Sequence, residues 1–354
     1  MNDNSPITEG PCCPLPLPHN GQIVMGHGSG GRMTQDLVEK VFLPAFSPDG
    51  SPKSLDDFAR LSAQPGAIAL STDCHIVSPL FFPGGDIGRL AVCGTVNDIA
   101  MSGAQPVALT AGFILEEGLP METLHLVVNS MQAAAQEAGV HIIAGDTKVV
   151  EHGKADGIFI TTAGIGFIPD GMHIGGKLAQ PGDVVLVSGT MGDHGIAVLS
   201  ARGDLGFQAQ VESDVAPLNH LIRRILDAAP NTHVLRDPTR GGLATTLNEI
   251  AVQSGVCIKL EEAAIPVKPV VQSACEMLGF DPLYIANEGK VIVIVPEAES
   301  QAALQAMQSE AYGQDAARIG EVLDAPADRV LLRTLIGGTR ILDTLAGEML
   351  PRIC

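Results

Sequence analysis

Apolar residues in the first half of the chain occur in short alternating runs and in longer stretches with a period near 3.6. The two patterns take turns. Residues 67–77 predict a strand ending in the polar "STD". The turn-rich "FFPGGD" follows, then a helix over about 86–101 with Asp86 well placed as its N-cap. "PVALTAGFILEE" reads as a strand and 121–138 as an amphipathic helix. "HIIAGDTKVV" and "GIFITTAGIGFI" read as two more strands joined by a short loop. A second half begins after "LAQPGD". There the apolar strand "VVLVSG" runs into "TMGDHGIAVLSAR", a glycine-bearing turn that opens a helix. A helix near 218–228 follows, then "HVLRDPTRGG" leading into a helix over 243–253, a strand around Val256, and "KVIVIV" after the polar "NEG". The rhythm predicts an α/β (α+β) fold of two domains, 22–170 and 171–336. Residues 1–21, with five prolines before position 20 and the pair Cys12-Cys13, read as a flexible leader. Residues 337–354 have glycines at their root and no long period, and read as a mobile tail.

Charge and cysteine usage narrow the function classes. The 354 residues carry a net charge of −19, with only 21 Lys and Arg, which argues against nucleic acid and anionic membrane as partners. No apolar run approaches the roughly 18 residues of a membrane span, and the first basic residue is Arg32, so a soluble, cytoplasmic protein is expected. Seven cysteines without an even-spaced framework suit free thiols in a reducing compartment. One of them, Cys354, is the last residue, behind "GEMLPRI". Sixteen residues separate it from Gly338, a reach of up to about 50 Å at full extension. Its position excludes a prenylation box, which needs the cysteine fourth from the end.

Several polar clusters are candidates for chemistry. "GHGSGGR" at 26–32 has glycines whose backbone N–H groups can close around an anion, but neither Walker A nor Rossmann spacing. Asp73, Asp98 and Asp146 stand at strand ends or on a helix, and three such carboxylates gathered around phosphates would suit a hard cation. Asp86 and Asn97 lie eleven residues apart on one helix face, with Asp98 around the corner, and Asp86 reads equally as a plain cap or a functional group. Lys148 lies two residues beyond Asp146. "RDPTRGG" brings Asp237, Thr239 and Arg240 to a helix start, and Glu288 precedes a buried-looking strand where a carboxylate needs a partner or a role. No H-x-x-x-H spacing supports zinc, and no G-x-S-x-G elbow supports a hydrolase triad.

Taken in order, "GHGSGGR", "STDCHIVSPLFFPGGDIGRLAVCGTVNDIAMSGAQP", "AGDTKVV", "GTMGDHGIAVLSAR", "RDPTRGG", "NEGK" and the terminal "PRIC" resemble the HypE family of hydrogenase maturation proteins, over 22–354. That family lies in the superfamily of aminoimidazole ribonucleotide synthetase, selenophosphate synthetase and thiamine-phosphate kinase. The resemblance implies a homodimer whose N-terminal, β-rich halves pair their sheets into a shared barrel, with ATP near that interface and the C-terminal half covering the site. It implies that HypF carbamoylates the terminal cysteine from carbamoyl phosphate and that ATP drives dehydration of the S-carboxamide to an S-cyanide. The cyano group then passes to iron on a HypC–HypD scaffold as a ligand of the NiFe hydrogenase centre.

Carried over by position, the resemblance makes Asp73, Asp98 and Asp146 the metal ligands, for Mg²⁺, and Cys354, Lys148 and Glu288 the catalytic set, with Glu288 as base. It places His27, Gly28, Ser29, Gly30, Gly31, Asp86, Asn97, Asp98 and Thr239 around the nucleotide. The leader with Cys12-Cys13-Pro14 is longer than the family core requires and has no assigned function. The alternative is an ATP-dependent kinase or synthetase of the same fold acting on a free small molecule. A non-catalytic carrier that holds metal on its tail thiol is a further rival. Cys354 separates the first from the family reading, and nucleotide binding separates the second.

Overall fold

The structure is a computed structural model, and it describes residues 21–47, 58–62, 64–203, 209–345, 347, 350 and 352–354. The leader with Cys12 and Cys13 lies outside the described residues, except for Gly21. The chain enters through α1 (Arg32–Leu37), a π-helical turn (Val38–Phe42) and α2 (Leu43–Phe46). Then come β1 (Ala67–His75), a small hairpin of β2 (Phe81–Phe82) and β3 (Gly85–Asp86), α3 (Ile87–Ala100), β4 (Gln105–Glu116), α4 (Met121–Ala138), β5 (His141–Val150) and β6 (Ile158–Ile168). These strands make a four-stranded sheet in the order β1-β6-β4-β5, antiparallel except for the β4–β5 pair. Leu90, Val96, Leu124, Val127 and Met131 of α3 and α4 join Leu109, Phe113 and Ile160 in one buried cluster on one face of the sheet.

Period two decides what the opposite face carries. Ile68 and Leu70 of β1 are 59% and 76% exposed, and Ile114 of β4 is 41% exposed. Cys74 pairs with Thr161, Thr161 with Gly112, and Gly112 with Asp146, so Asp146 stands on this outer face with Leu70 and Cys74. Lys148, paired with Ile114, stands there too.

The second domain contains β7 (Asp183–Val187), α5 (Asp193–Ala201), α6 (Asn219–Ala228), β8 (Val234–Arg236), α7 (Gly242–Ser254), β9 (Cys257–Glu261), α8 (Pro269–Leu278), β10 (Ile292–Pro296), α9 (Glu297–Gln308), β11 (Ala317–Leu323), β12 (Arg329–Arg333) and β13 (Thr339–Ile341). The strands form one sheet in the order β13-β12-β9-β11-β7-β10-β8. "DVVLV" of β7 is apolar without alternation because both faces are covered. Val185 and Val187 pack with Leu243, Leu247 and Ile250 of α7, whereas Val184 and Leu186 pack with Leu221, Ile222 and Ile225 of α6.

Among the longer elements of the second domain, α8, α9, β11 and β12 were not legible in the apolar pattern. The helix α9 buries only Ser300, Ala303 and Met307, too few large apolar residues to mark a period. The tail also differs from expectation. Strand β13 extends the second sheet past position 336, and Leu342, Leu350 and Ile353 are all buried. Leu350 and Ile353 join the cluster that holds α3 and α5, so the end of the chain is docked between the domains.

Among the described residues, no helix is long and apolar enough to cross a membrane.

Candidate active site

Four segments far apart in sequence meet where the tail ends. From β1 comes Asp73, whose Oδ1 accepts the Cys74 N–H at 2.8 Å and lies 3.9 Å from Arg240 Nη2. Behind it, buried His75 stands 3.7 Å from Asp73 Oδ2 and 3.2 Å from the Thr162 hydroxyl. Burial lowers the His75 pKa, against the pull of Asp73, which keeps the ring neutral. From α3 comes Asp98, which accepts the Ser71 hydroxyl at 2.7 Å. Burial raises its pKa, opposed by the Ser71 bond and reinforced by Asp73. The loop after β8 supplies Asp237, whose carboxyl is pushed up to about 7 by burial and then by Asp98. Asp98, Asp237, Thr239 and Arg240 line a cleft of about 440 Å³.

The fourth segment is the "NEGK" loop. Glu288 is buried, and its Oε1 has no hydrogen-bond partner. Its pKa is raised well above the ordinary carboxylate value, by burial first and then by Asp237, Asp73 and Asp214, with Arg240 opposing. The loop is held from every side. Asn287 Nδ2 donates to the Pro238 carbonyl at 2.9 Å, and Asn287 Oδ1 accepts the Gly192 N–H at 2.7 Å. The Glu288 N–H donates to Asp214 Oδ1 at 2.9 Å. At Gly289 a Cβ would fall inside the van der Waals radius of the Asp214 carbonyl oxygen, so only glycine fits. Gly289→Ala should therefore lower stability by about 1–3 kcal/mol, the usual cost of overpacking. Urea denaturation measures it, and an unchanged midpoint would contradict this packing.

Cys354 completes the group. Its thiol faces Glu288, with Arg240 and Asp73 nearby; burial and then Glu288 raise its pKa, so the docked sulfur stays protonated. The tail reaches the site of its own chain.

The expected site residues divide into four groups. Asp73, Asp98, Thr239, Glu288 and Cys354 come together around the cleft, joined by Asp237 and Arg240. Asp146 and Lys148 do not join them, because β5 turns both to the outer face of the sheet while Asp73 points to the inner one. Among the described residues no three acidic, histidine or cysteine side chains stand close enough to close on one metal ion. The expected convergence of Asp73, Asp98 and Asp146 is thus absent within one chain. Asp146 instead lines a cavity of about 1100 Å³ with Val38, Phe42 and Phe113.

The glycine loop lies on β5, where a Cβ on Gly28 would run into the backbone of Lys148 and Val149. His27 Nδ1 accepts the Val24 N–H at 3.0 Å, Ser29 Oγ donates to the Gly26 carbonyl, the Gly30 N–H donates to Thr34 Oγ1, and Gly31 caps α1. These bonds shape the loop.

Asp86 and Asn97, also expected near the nucleotide, have structural roles within the chain. Asp86 Oδ1 accepts the N–H groups of Gly88 and Arg89 and Oδ2 accepts the Ser130 hydroxyl, the full set of an N-cap. Asn97 is buried, donates to the Ala216 carbonyl at 3.0 Å and accepts the Leu218 N–H at 2.8 Å, tying α3 to the second domain. Asp214, Asn287 and His75 escaped the sequence reading. Only Asn287 had a signal, the "NEG" triplet, polar before an apolar strand.

The family models for the N-terminal and C-terminal domains of AIR synthase related proteins match residues 55–168 and 180–333. The chain is 53% identical over 335 residues to the carbamoyl dehydratase HypE of Cupriavidus necator, spanning 95% of each protein. It is 48% identical over 336 residues to that of Escherichia coli, spanning 94% of this chain and 99% of the relative. A crystal structure of the hydrogenase maturation protein HypE in complex with ATP superposes with a TM-score of 0.89 at 50% identity, covering 94% of this chain and 99% of that one. HypE in a HypE–HypF complex superposes with a TM-score of 0.77 at 53% identity, covering 87% and 99%. A thiamine-monophosphate kinase from Stenotrophomonas maltophilia, 21% identical with a TM-score of 0.62, shares the fold.

Proposed function

This chain belongs to the HypE family of carbamoyl dehydratases, and we propose that it dehydrates a carbamoyl group carried on its own Cys354 to a cyano group, using ATP. The observation that carries this reading is the docked tail, whose terminal thiol lies against the Glu288 carboxyl, one oxygen of which, Oε1, has no hydrogen-bond partner. The thiocarbamate amide would occupy that position. Its oxygen attacks the γ-phosphorus of ATP and ADP leaves, while one N–H proton passes to Glu288. Loss of the second N–H proton expels phosphate from the O-phosphorylated imidate and leaves S–C≡N. Glu288, with its raised pKa, is a stronger base once ionised than an ordinary carboxylate. Arg240 supplies positive charge beside the oxygen that is phosphorylated.

ATP as the nucleotide is supported by the similar HypE that binds it, and HypF as the carbamoyl donor by the similar HypE in complex with HypF. Mg²⁺ fits the donor set. It is commonly held by one or two carboxylates together with substrate phosphates, and Asp73, Asp98 and Asp237 are crowded carboxylates with Arg240 and Arg236 nearby. Bound there, the ion would neutralise the charge of the phosphates. Transfer of the cyano group to iron on HypC–HypD, in the cytoplasm, completes the proposed role.

We further propose a homodimer formed through the outer face of the N-terminal sheet. Its support is the exposed Ile68, Leu70 and Ile114 on that face, beside Asp146 and Lys148. Sheets of two copies closing over this face would bury those apolar residues. Pairing also offers Asp146, Lys148 and the glycine loop a route to a nucleotide site that they do not reach within one chain. Leu70→Lys is expected to weaken dimerisation at least about hundredfold, since the lost apolar burial counts twice per dimer. Sedimentation equilibrium measures it, and an unchanged dimer would refute this interface.

The dehydratase reading is tested by intact mass after incubation with HypF, carbamoyl phosphate and Mg-ATP. A gain of about 43 Da for a carbamoyl group on the thiolate nucleophile, followed by a net of about 25 Da for a cyano group, is expected. ATP consumption driven by a free small molecule, with the tail unmodified, would favour the kinase instead.

A further inference from the structure

The last three residues are held almost wholly through their main chain. Ile353 bridges to Val77, the Ile76 N–H donates to the Cys354 carbonyl at 3.3 Å, and the Ser78 N–H donates to the Arg352 carbonyl at 3.2 Å. The tail thus adds a short antiparallel pairing to the segment that follows β1.

Three side chains close over this pairing. His194, fully buried at the start of α5, has Nε2 2.6 Å from the Ile353 carbonyl and Nδ1 2.8 Å from Ser213 Oγ. A carbonyl only accepts, so Nε2 carries the proton, and Nδ1 accepts from the Ser213 hydroxyl. Ser213 Oγ in turn accepts the Val215 N–H at 3.1 Å, which fixes the tautomer. Arg202, just past α5, donates from Nη2 to the Arg352 carbonyl at 2.6 Å and from Nε to the Ser78 carbonyl at 2.7 Å, gripping both strands of the pairing. Asp156, in the β5–β6 connection, pairs with the Arg352 guanidinium at the solvent rim. Arg352 itself is in the left-handed region at φ 55°, a turn that a non-glycine residue keeps only where its surroundings hold it.

We propose that His194 and Arg202, which hold the carbonyls of residues 353 and 352, together with Asp156, which holds the Arg352 guanidinium, form a clamp on the tail and act as positioning residues that set how long Cys354 stays docked. The proposal rests on the reading that Cys354 carries the reacting group. Because the clamp grips the carbonyls of residues 352 and 353 and not the sulfur, it has the same hold on the free thiol, the thiocarbamate and the thiocyanate. Discharge of the tail to a partner therefore requires the clamp to open, whatever the sulfur carries. While it is closed, the partly exposed thiol is held against Glu288 and its access to electrophiles is restricted.

The test is the rate at which iodoacetamide alkylates Cys354 in the full-length protein, followed by peptide mass spectrometry, against the synthetic peptide GEMLPRIC. Neither ATP nor catalysis enters this measurement, so its failure is distinct from failure of the dehydratase reading. The whole protein is expected to react at least about tenfold more slowly than the peptide. Arg202→Ala should recover about tenfold of that, as loss of a charge-assisted hydrogen bond implies, with Arg202→Lys intermediate. In turnover, the same variants should lose dehydration per carbamoylated chain while carbamoylation by HypF is kept, a split that general loss of structure would not produce. Labelling of the buried Cys93 and Cys275 reports unfolding. If it appears, Asp156→Ala at the exposed rim supplies the comparison, with a smaller rise. Alkylation of the whole protein at the peptide's rate, or variants that label like the parent, would overturn the clamp.

Discussion

Cys354→Ala is expected to lose every mass change that HypF, carbamoyl phosphate and ATP produce on the parent chain. No other described cysteine can substitute. Cys93, Cys257 and Cys275 are buried in the cores, and Cys74 stands on the outer face of the N-terminal sheet. Among the described cysteines, only Cys354 lies beside both Glu288 and Arg240. The loss should be complete, because the residue carries the substrate. Binding of Mg-ATP should persist, since the carboxylates and the cleft beside them do not depend on the sulfur. Intact mass spectrometry together with a nucleotide-dependent thermal shift checks both halves. A variant that still gains about 43 Da would place the carbamoyl group on another nucleophile and remove the tail from the reaction.

Glu288→Gln should divide the reaction in two. The amide keeps the size and shape of the carboxyl but takes no proton, so dehydration is expected to fall by about 10²–10⁴-fold, the usual contribution of a positioned base. Carbamoylation by HypF, which acts on a tail outside the site, should continue, and the species at about 43 Da should accumulate.

The pH dependence follows from the raised pKa of Glu288. In the parent, dehydration should climb as pH rises through that value, because only the ionised carboxylate accepts the proton. Stability runs the other way. A carboxyl whose folded pKa lies above its unfolded one stabilises the fold below the unfolded pKa, and that contribution is lost as pH rises toward the folded pKa. Glu288→Gln removes the titration. The variant should therefore melt higher than the parent at neutral and alkaline pH, with the gap closing toward pH 4. Activity lost together with stability gained would mark Glu288 as a buried charge kept for chemistry. A variant that still dehydrates at the parental rate would transfer the role of base elsewhere, with Asp237, whose pKa is near 7, first in line.

Much of this site was legible in residue order. Asp73, Asp98, Glu288 and Cys354 each stood out because a carboxylate or thiol occupied a context that solvation alone does not explain, and all four meet. Asp86 and Asn97 were equally conspicuous and turned out to be a helix cap and an interdomain tie. Local context identifies a polar residue that must be satisfied but does not say whether backbone or ligand satisfies it. Asn97 is answered by residues 216 and 218, more than a hundred positions away.

Periodicity along the chain was enough to establish most strands and helices, the two α/β halves and which strand residues share a face, because these depend on neighbours within a few positions. Packing over long distances settled the rest. The register of β5 against β4 turned Asp146 and Lys148 away from Asp73. The hydrogen bonds that dock the tail run to main-chain carbonyls, which every sequence possesses and no pattern reveals. Burial beside carboxylates drawn from positions 237, 73 and 214 raised the pKa of Glu288, a sum of desolvation and charge that exists only once those segments have met.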